Sequence, residues 1–114
     1  MSKSVVFQLR SDDPEAILGA TQAAKNCLAV VPNSPTEIVV QGGAVTGLKK
    51  DTAWADKLCE YVDKLGCVKV LACENALKSH EVDLAELLDM IGTVPAGVAH
   101  VAQRQWDGWA YLRV

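Results

Sequence analysis

Several kinds of chemistry are thinly represented in this sequence. No run of Lys or Arg is longer than Lys49-Lys50, and the formal net charge is −3 with a sequence pI near 5.2. A surface that tracks phosphates needs clustered positive charge, so nucleic acid is not an expected partner. No apolar run approaches the about 18 residues needed to span a bilayer, which removes the membrane as well. Met1-Ser2-Lys3 passes into a strand pattern within a few residues, with no room for a signal peptide. A cytoplasmic location is the expectation.

Metal and catalytic motifs are equally scarce. There are two His and four Cys, at Cys27, Cys59, Cys67 and Cys73, without a Cys-x-x-Cys pair. Their spacings match no common zinc pattern, and a reducing compartment disfavours a structural disulfide set. No metal and no cofactor is expected. Ser-His-Asp order, a carboxylate pair at useful spacing and the glycine patterns of nucleotide loops are all missing. If the chain has a nucleophile, it is a thiol.

What is present is a regular alternation of apolar runs and amphipathic stretches. With 114 residues, half of them hydrophobic, the chain is expected to form one domain over 1–114 that buries roughly two thirds of its unfolded surface. Val5 to Leu9 is the first expected strand, taken as central. Asp13 is placed as N-cap with Pro14 at the first helical position, opening a helix to about Val30. Glu37 to Gln41 is the second strand, with Gly42-Gly43 as a turn and Ala44 to Leu48 as a short helical or irregular segment. A helix is expected from Asp51 or Thr52 to Leu65, ended by Gly66. The third strand is Cys67 to Cys73, buried on both faces in the manner of a parallel sheet. It runs straight into a short helix.

Further on, Asp83 is expected to cap a helix over Leu84 to Met90, before a brief strand around Ile91 to Val94. Pro95-Ala96-Gly97 opens a helix from Val98 to about Asp107, and Trp109 to Arg113 is the last strand. Such alternation predicts an α/β protein, a three-layer α/β/α sandwich on a mainly parallel five-stranded sheet.

The position that matters is Cys73. A thiolate is the nucleophilic form, and a helix N-terminus favours an anion by roughly 0.3–1 kcal/mol, at most about 2. Glu74 and burial oppose this, so the expected activation is modest. Cys27 and Cys59 fall on apolar helix faces, and Cys67 lies at the opposite end of its strand. Arg10, Gly42, Gly43, Pro95 and Gly97 all follow strand carboxyl ends, the edge where ligands bind open α/β sheets. Asn75 is an early capping candidate beside the thiol. His80 is expected as an exposed or capping residue, and His100 at a surface or interface. Trp106 and Trp109 suit either core filling or subunit contact.

The strand into Cys73-Glu74-Asn75-Ala76-Leu77, the later Thr93-Val94-Pro95-Ala96-Gly97-Val98 and the ending Gln105 to Arg113 resemble the DsrE/DsrF-like proteins, in particular their small stand-alone members. The likeness follows nearly the whole chain in order and spacing. It implies a flavodoxin-like fold and a homo-oligomer, commonly a trimer or hexamer. As in TusD relatives, it also implies a persulfide carried on the cysteine that maps to Cys73, with a sulfur donor or acceptor protein as partner. The other reading is a non-catalytic oligomeric module that binds a small anionic or nucleotide-like ligand through Arg10 and Gly97.

Overall fold

A computed structural model describes residues 3–114. Five strands form one sheet: β1 (Val5–Arg10), β2 (Thr36–Gln41), β3 (Val68–Cys73), β4 (Gly92–Val94) and β5 (Ala110–Arg113). Their order is β4-β3-β2-β1-β5, and every neighbouring pair is parallel. The centre is therefore β2, all six of whose residues are buried, and β1 is the strand beside it.

Parallel neighbours need crossovers, and helices supply them. α1 (Ala16–Val30) links β1 to β2, while α2 (Ala55–Leu65) precedes β3 and the short α3 (Glu74–Ser79) follows it. These three pack on one face, where Val5, Phe7, Leu9, Ile38, Val40, Val70 and Ala72 meet Ile17, Ala24, Leu58 and Leu77. α4 (Gly97–Trp106) is the connection from β4 to β5, from one edge of the sheet to the other. It lies on the opposite face, over a smaller core of Val6, Val39, Val94 and Val101, with Leu71 and Trp109 against it. The three layers and the parallel sheet agree with the alternation in the sequence.

Three local expectations need correction. The first concerns α1, where Asp13 does accept the Glu15 N–H at 3.0 Å, yet regular helix begins only at Ala16. The second concerns α2, which begins at Ala55 rather than at Asp51 or Thr52. The preceding residues are occupied otherwise: Trp54 Nε1 donates to Gly47 O at 2.9 Å, and Lys50 N–H to Glu86 O at 2.8 Å.

The third concerns Leu84 to Met90, where only one 3₁₀ turn, Leu84–Glu86, forms. Its start matches expectation, with Asp83 and Glu86 in a reciprocal capping box. The helix stops because its next backbone groups bond elsewhere. Leu88 N–H donates to Leu48 O at 3.0 Å, Lys49 bridges Leu87 antiparallel, and Glu86 O is taken by Lys50. Gly42–Leu48 is also 3₁₀. Among the described residues no helix is long and apolar enough to cross a membrane.

Candidate functional site

In β3 successive side chains alternate between faces. Ala72 belongs to the larger core, and Cys73 turns to the side covered by α4. The thiol is 5% exposed, and its Sγ accepts the Gly97 N–H at 3.3 Å. Gly97 is the first residue of α4, with Ala96 as its N-cap. The donor thus comes from the helix that packs on the cysteine's own face, not from α3, which follows it in sequence. α3 leaves the strand toward the other face, where Leu77 is in the larger core. Glu74 is held by Thr93, whose Oγ1 donates to Glu74 Oε2 at 2.9 Å.

The thiol borders an open cleft of about 280 Å³ at the carboxyl edge of the sheet. Arg10, Gln41, Gly42 and Asn75 share that cleft with Cys73, and Ser79 and His80 close its α3 side. Arg10 is exposed, and no ion pair holds its guanidinium among the described residues. Gly42 has φ +71°, and a Cβ there would lie 2.9 Å from Ser11 O, so the turn after β2 requires glycine. Gly43 is buried against the Asp12 backbone, away from the cleft. Pro95 is exposed and does not line the cleft, whereas Gly97 meets the thiol through its N–H. His80 both caps and lines: its Nδ1 is 3.0 Å from Ala76 O. Only an N–H can pair with that carbonyl, which leaves Nε2 as the free ring nitrogen.

The sequence does not mark Gln41 as part of the site. Parallel register does: Val40 pairs with Ala72, so Gln41 stands beside Cys73 at the same edge. The other overlooked group is Glu37. Its side chain, 7% exposed, receives Arg104 twice, from Nε and Nη2, each at 2.9 Å, and lies 2.7 Å from His100 Nε2. Burial pushes the Glu37 carboxyl up, but hydrogen bonds from Arg104 and His100 outweigh it and hold the group below its ordinary range. Arg104 also stacks on Trp109, 4.5 Å from the ring centroid. His100 is therefore bound within the fold rather than presented at a surface. This knot ties α4 to β2 and so fixes where its first N–H meets Cys73.

A larger groove, about 840 Å³, runs along α2 beside Leu88 to Met90 and includes Cys59. It has the greater volume, but among the described residues it brings no backbone donor to a thiol, so size alone does not identify the site. Among the described residues no group of His, Cys, Asp and Glu is arranged to hold a metal ion.

Fold and site together define a class: an all-parallel, three-layer α/β protein with a buried cysteine at the sheet's carboxyl edge, facing a helix N-terminus. Neither a family model nor a curated protein matches the chain. Among solved structures it is similar to MTH1491 of Methanobacterium thermoautotrophicum, described as a protein of unknown function, with 29% identity and a TM-score of 0.87 over 99% of this chain and 100% of that one. It is also similar to the ychN protein of E. coli, with 13% identity and a TM-score of 0.78 over 98% and 99%. The second likeness is one of fold alone.

Proposed function

We propose that this chain is a DsrE/DsrF-like sulfur carrier that accepts sulfane sulfur on Cys73. The observation that carries the reading is the contact between Cys73 Sγ and the Gly97 N–H at the start of α4. A helix N-terminus favours an anion by its dipole and its unpaired N–H groups. In the loading step the Cys73 thiolate attacks the outer sulfur of a donor R–S–SH. The donor's S–S bond breaks, its electron pair leaves as R–S⁻, and the proton remains on the new Cys73–S–SH. Unloading is the reverse attack, by an acceptor thiolate on that outer sulfur, and returns the electron pair to Cys73.

Burial of Sγ is compatible with this exchange. The added sulfur stands roughly 2 Å beyond Sγ, a disulfide-type bond length, and so reaches toward the cleft. The donor and acceptor are expected to be proteins, and the compartment cytoplasmic. Asn75 borders the reacting sulfur, Arg10 and Gly42 receive the anionic part of the donor, and Pro95 shapes the turn that delivers Gly97. Incubation with a sulfane-sulfur donor should add about 32 Da per sulfur, with peptide mapping placing it on Cys73. Sulfur spread evenly over the four cysteines, or retained in Cys73→Ser, sinks the proposal.

Assembly belongs to the same reading. Trp106 is 81% exposed and Val98 58%, and every residue of the edge strand β5 is exposed. Exposed aromatic and aliphatic side chains, with a strand edge left unpaired among the described residues, suit a second copy of the chain, in a trimer or hexamer. Light scattering that finds only monomer at micromolar concentration removes it.

One observation favours a second reading, a non-catalytic module for a small anion: Arg10, which no ion pair holds among the described residues, stands beside Gly42 in the cleft. Thermal stabilisation by anions that survives Cys73→Ser would support it.

A further inference from the structure

Gln41 is 8% exposed, and its amide is locked from one side. Gln41 Oε1 accepts Gln8 Nε2 at 2.7 Å, and Gln8 Oε1 in turn accepts the Tyr111 hydroxyl. Beneath the amide lies Gly97, so close that a Cβ there would come within 2.7 Å of Gln41 Cγ and 3.0 Å of Nε2. A primary amide has one acceptor oxygen and two N–H donors. The oxygen is used by Gln8. Nε2 donates to no protein group among the described residues, and Gln41 lines the cleft at Cys73. The amide is thus held against Gly97 with a free N–H at the cleft, open to whatever Cys73 carries there.

We propose that Gln41 Nε2 is the second hydrogen-bond donor, with the Gly97 N–H, to the sulfur anion on Cys73: first the thiolate, then the outer sulfur of the persulfide. Two donors from different elements form an anion hole for sulfur, while Gln8 Nε2 holds the oxygen end of the Gln41 amide. Gly97 is glycine because the Gln41 side chain occupies the space of a Cβ. The persulfide half of this rests on the sulfur-carrier reading, and the thiolate half does not.

The test measures Cys73 in the purified full chain by two probes. Iodoacetamide alkylation, followed by peptide mapping, reports the thiolate, and loading by inorganic polysulfide reports the persulfide. Gln41→Leu should slow Cys73 alkylation about three- to tenfold. A lost hydrogen bond to a charged group lowers the thiolate fraction, and the greater intrinsic nucleophilicity of the remainder offsets part of it. Gln41→Glu should slow it more, since an acceptor then faces the anion. Tyr111→Phe should fall between wild type and Gln41→Leu, because Gln8 and Gln41 are freed to turn. Gly97→Ala should resemble Gln41→Leu by displacing the amide while keeping the backbone N–H.

Should Gln41→Glu fail to fold, Gln41→Met, similar in length and without a donor, replaces it and should behave as Gln41→Leu. Alkylation of Cys73 in Gln41→Leu or Gln41→Met at the wild-type rate, or faster in Gln41→Glu than in Gln41→Leu, overturns the proposal. If polysulfide never loads wild-type Cys73, the carrier reading falls, and the alkylation arm still decides the role of Gln41.

Discussion

The two faces of the sheet are built differently. The face under α1, α2 and α3 is a continuous apolar core, with Phe7, Ile17, Ile38 and Leu58 almost wholly shielded from water. The face under α4 has a small apolar cluster, a half-buried ion pair, a relay of amides and the thiol. Hydrophobic burial is non-directional, and it suits a layer whose task is stability. Hydrogen bonds and ion pairs fix positions and angles, which is what holding the Gly97 N–H on the Cys73 sulfur requires. The first face holds the protein together, and the second aims it.

That division makes predictions, the largest on the apolar face. Phe7→Ala should cost about 3–5 kcal/mol in denaturant unfolding, from lost transfer energy and the cavity left behind. It should leave the order of thiol reactivities unchanged in the protein that remains folded. A larger loss from Val101→Ala on the α4 face would erase the contrast.

Arg104→Ala comes next, at about 3 kcal/mol, because it leaves the buried Glu37 carboxylate without its bidentate partner. Unlike Phe7→Ala, it should also lower Cys73 loading, since α4 is then held to β2 less firmly. A thiol assay unchanged by Arg104→Ala would separate the knot from the site.

Acid should act on the same knot with a smaller effect. The Glu37 carboxyl is held below its ordinary value of 4.5 in the fold. Between the folded and unfolded values the unfolded chain therefore binds the extra proton, and stability rises with pH. The Glu37 contribution is complete above about 4.5 and is lost as pH falls through the folded value. Glu37→Gln should flatten that part of a stability–pH curve, and an identical acid limb in the variant would contradict it.

The smallest change in stability is expected at the site itself. Cys73→Ser should cost about 1 kcal/mol or less, because the hydroxyl can still pair with Gly97 N–H, yet sulfur loading should vanish. A collapse of the fold in Cys73→Ser would mean that the thiol is core.

The sequence by itself determined what depends on neighbours along the chain. Apolar runs and capping residues place all five strands and the four helices to within a few residues, and Cys73 lies at a strand's carboxyl end as its pattern requires. The Leu84 to Met90 stretch shows the limit. Its cap is local and forms, while its helix is lost to bonds with Leu48 and Lys50, nearly forty residues back.

Tertiary structure alone decided the strand order and with it the company Cys73 keeps. The Gly97 donor is 24 residues away in sequence, Arg104 is 67 from Glu37, and Tyr111 is 103 from Gln8. No local pattern encodes such pairs. They arise because parallel strands in register carry Gln41 and Cys73 to one edge, and because the connection from β4 to β5 must cross the uncovered face. There α4 packs with its first N–H on the thiol, tied to β2 by the bonds of His100 and Arg104 to Glu37.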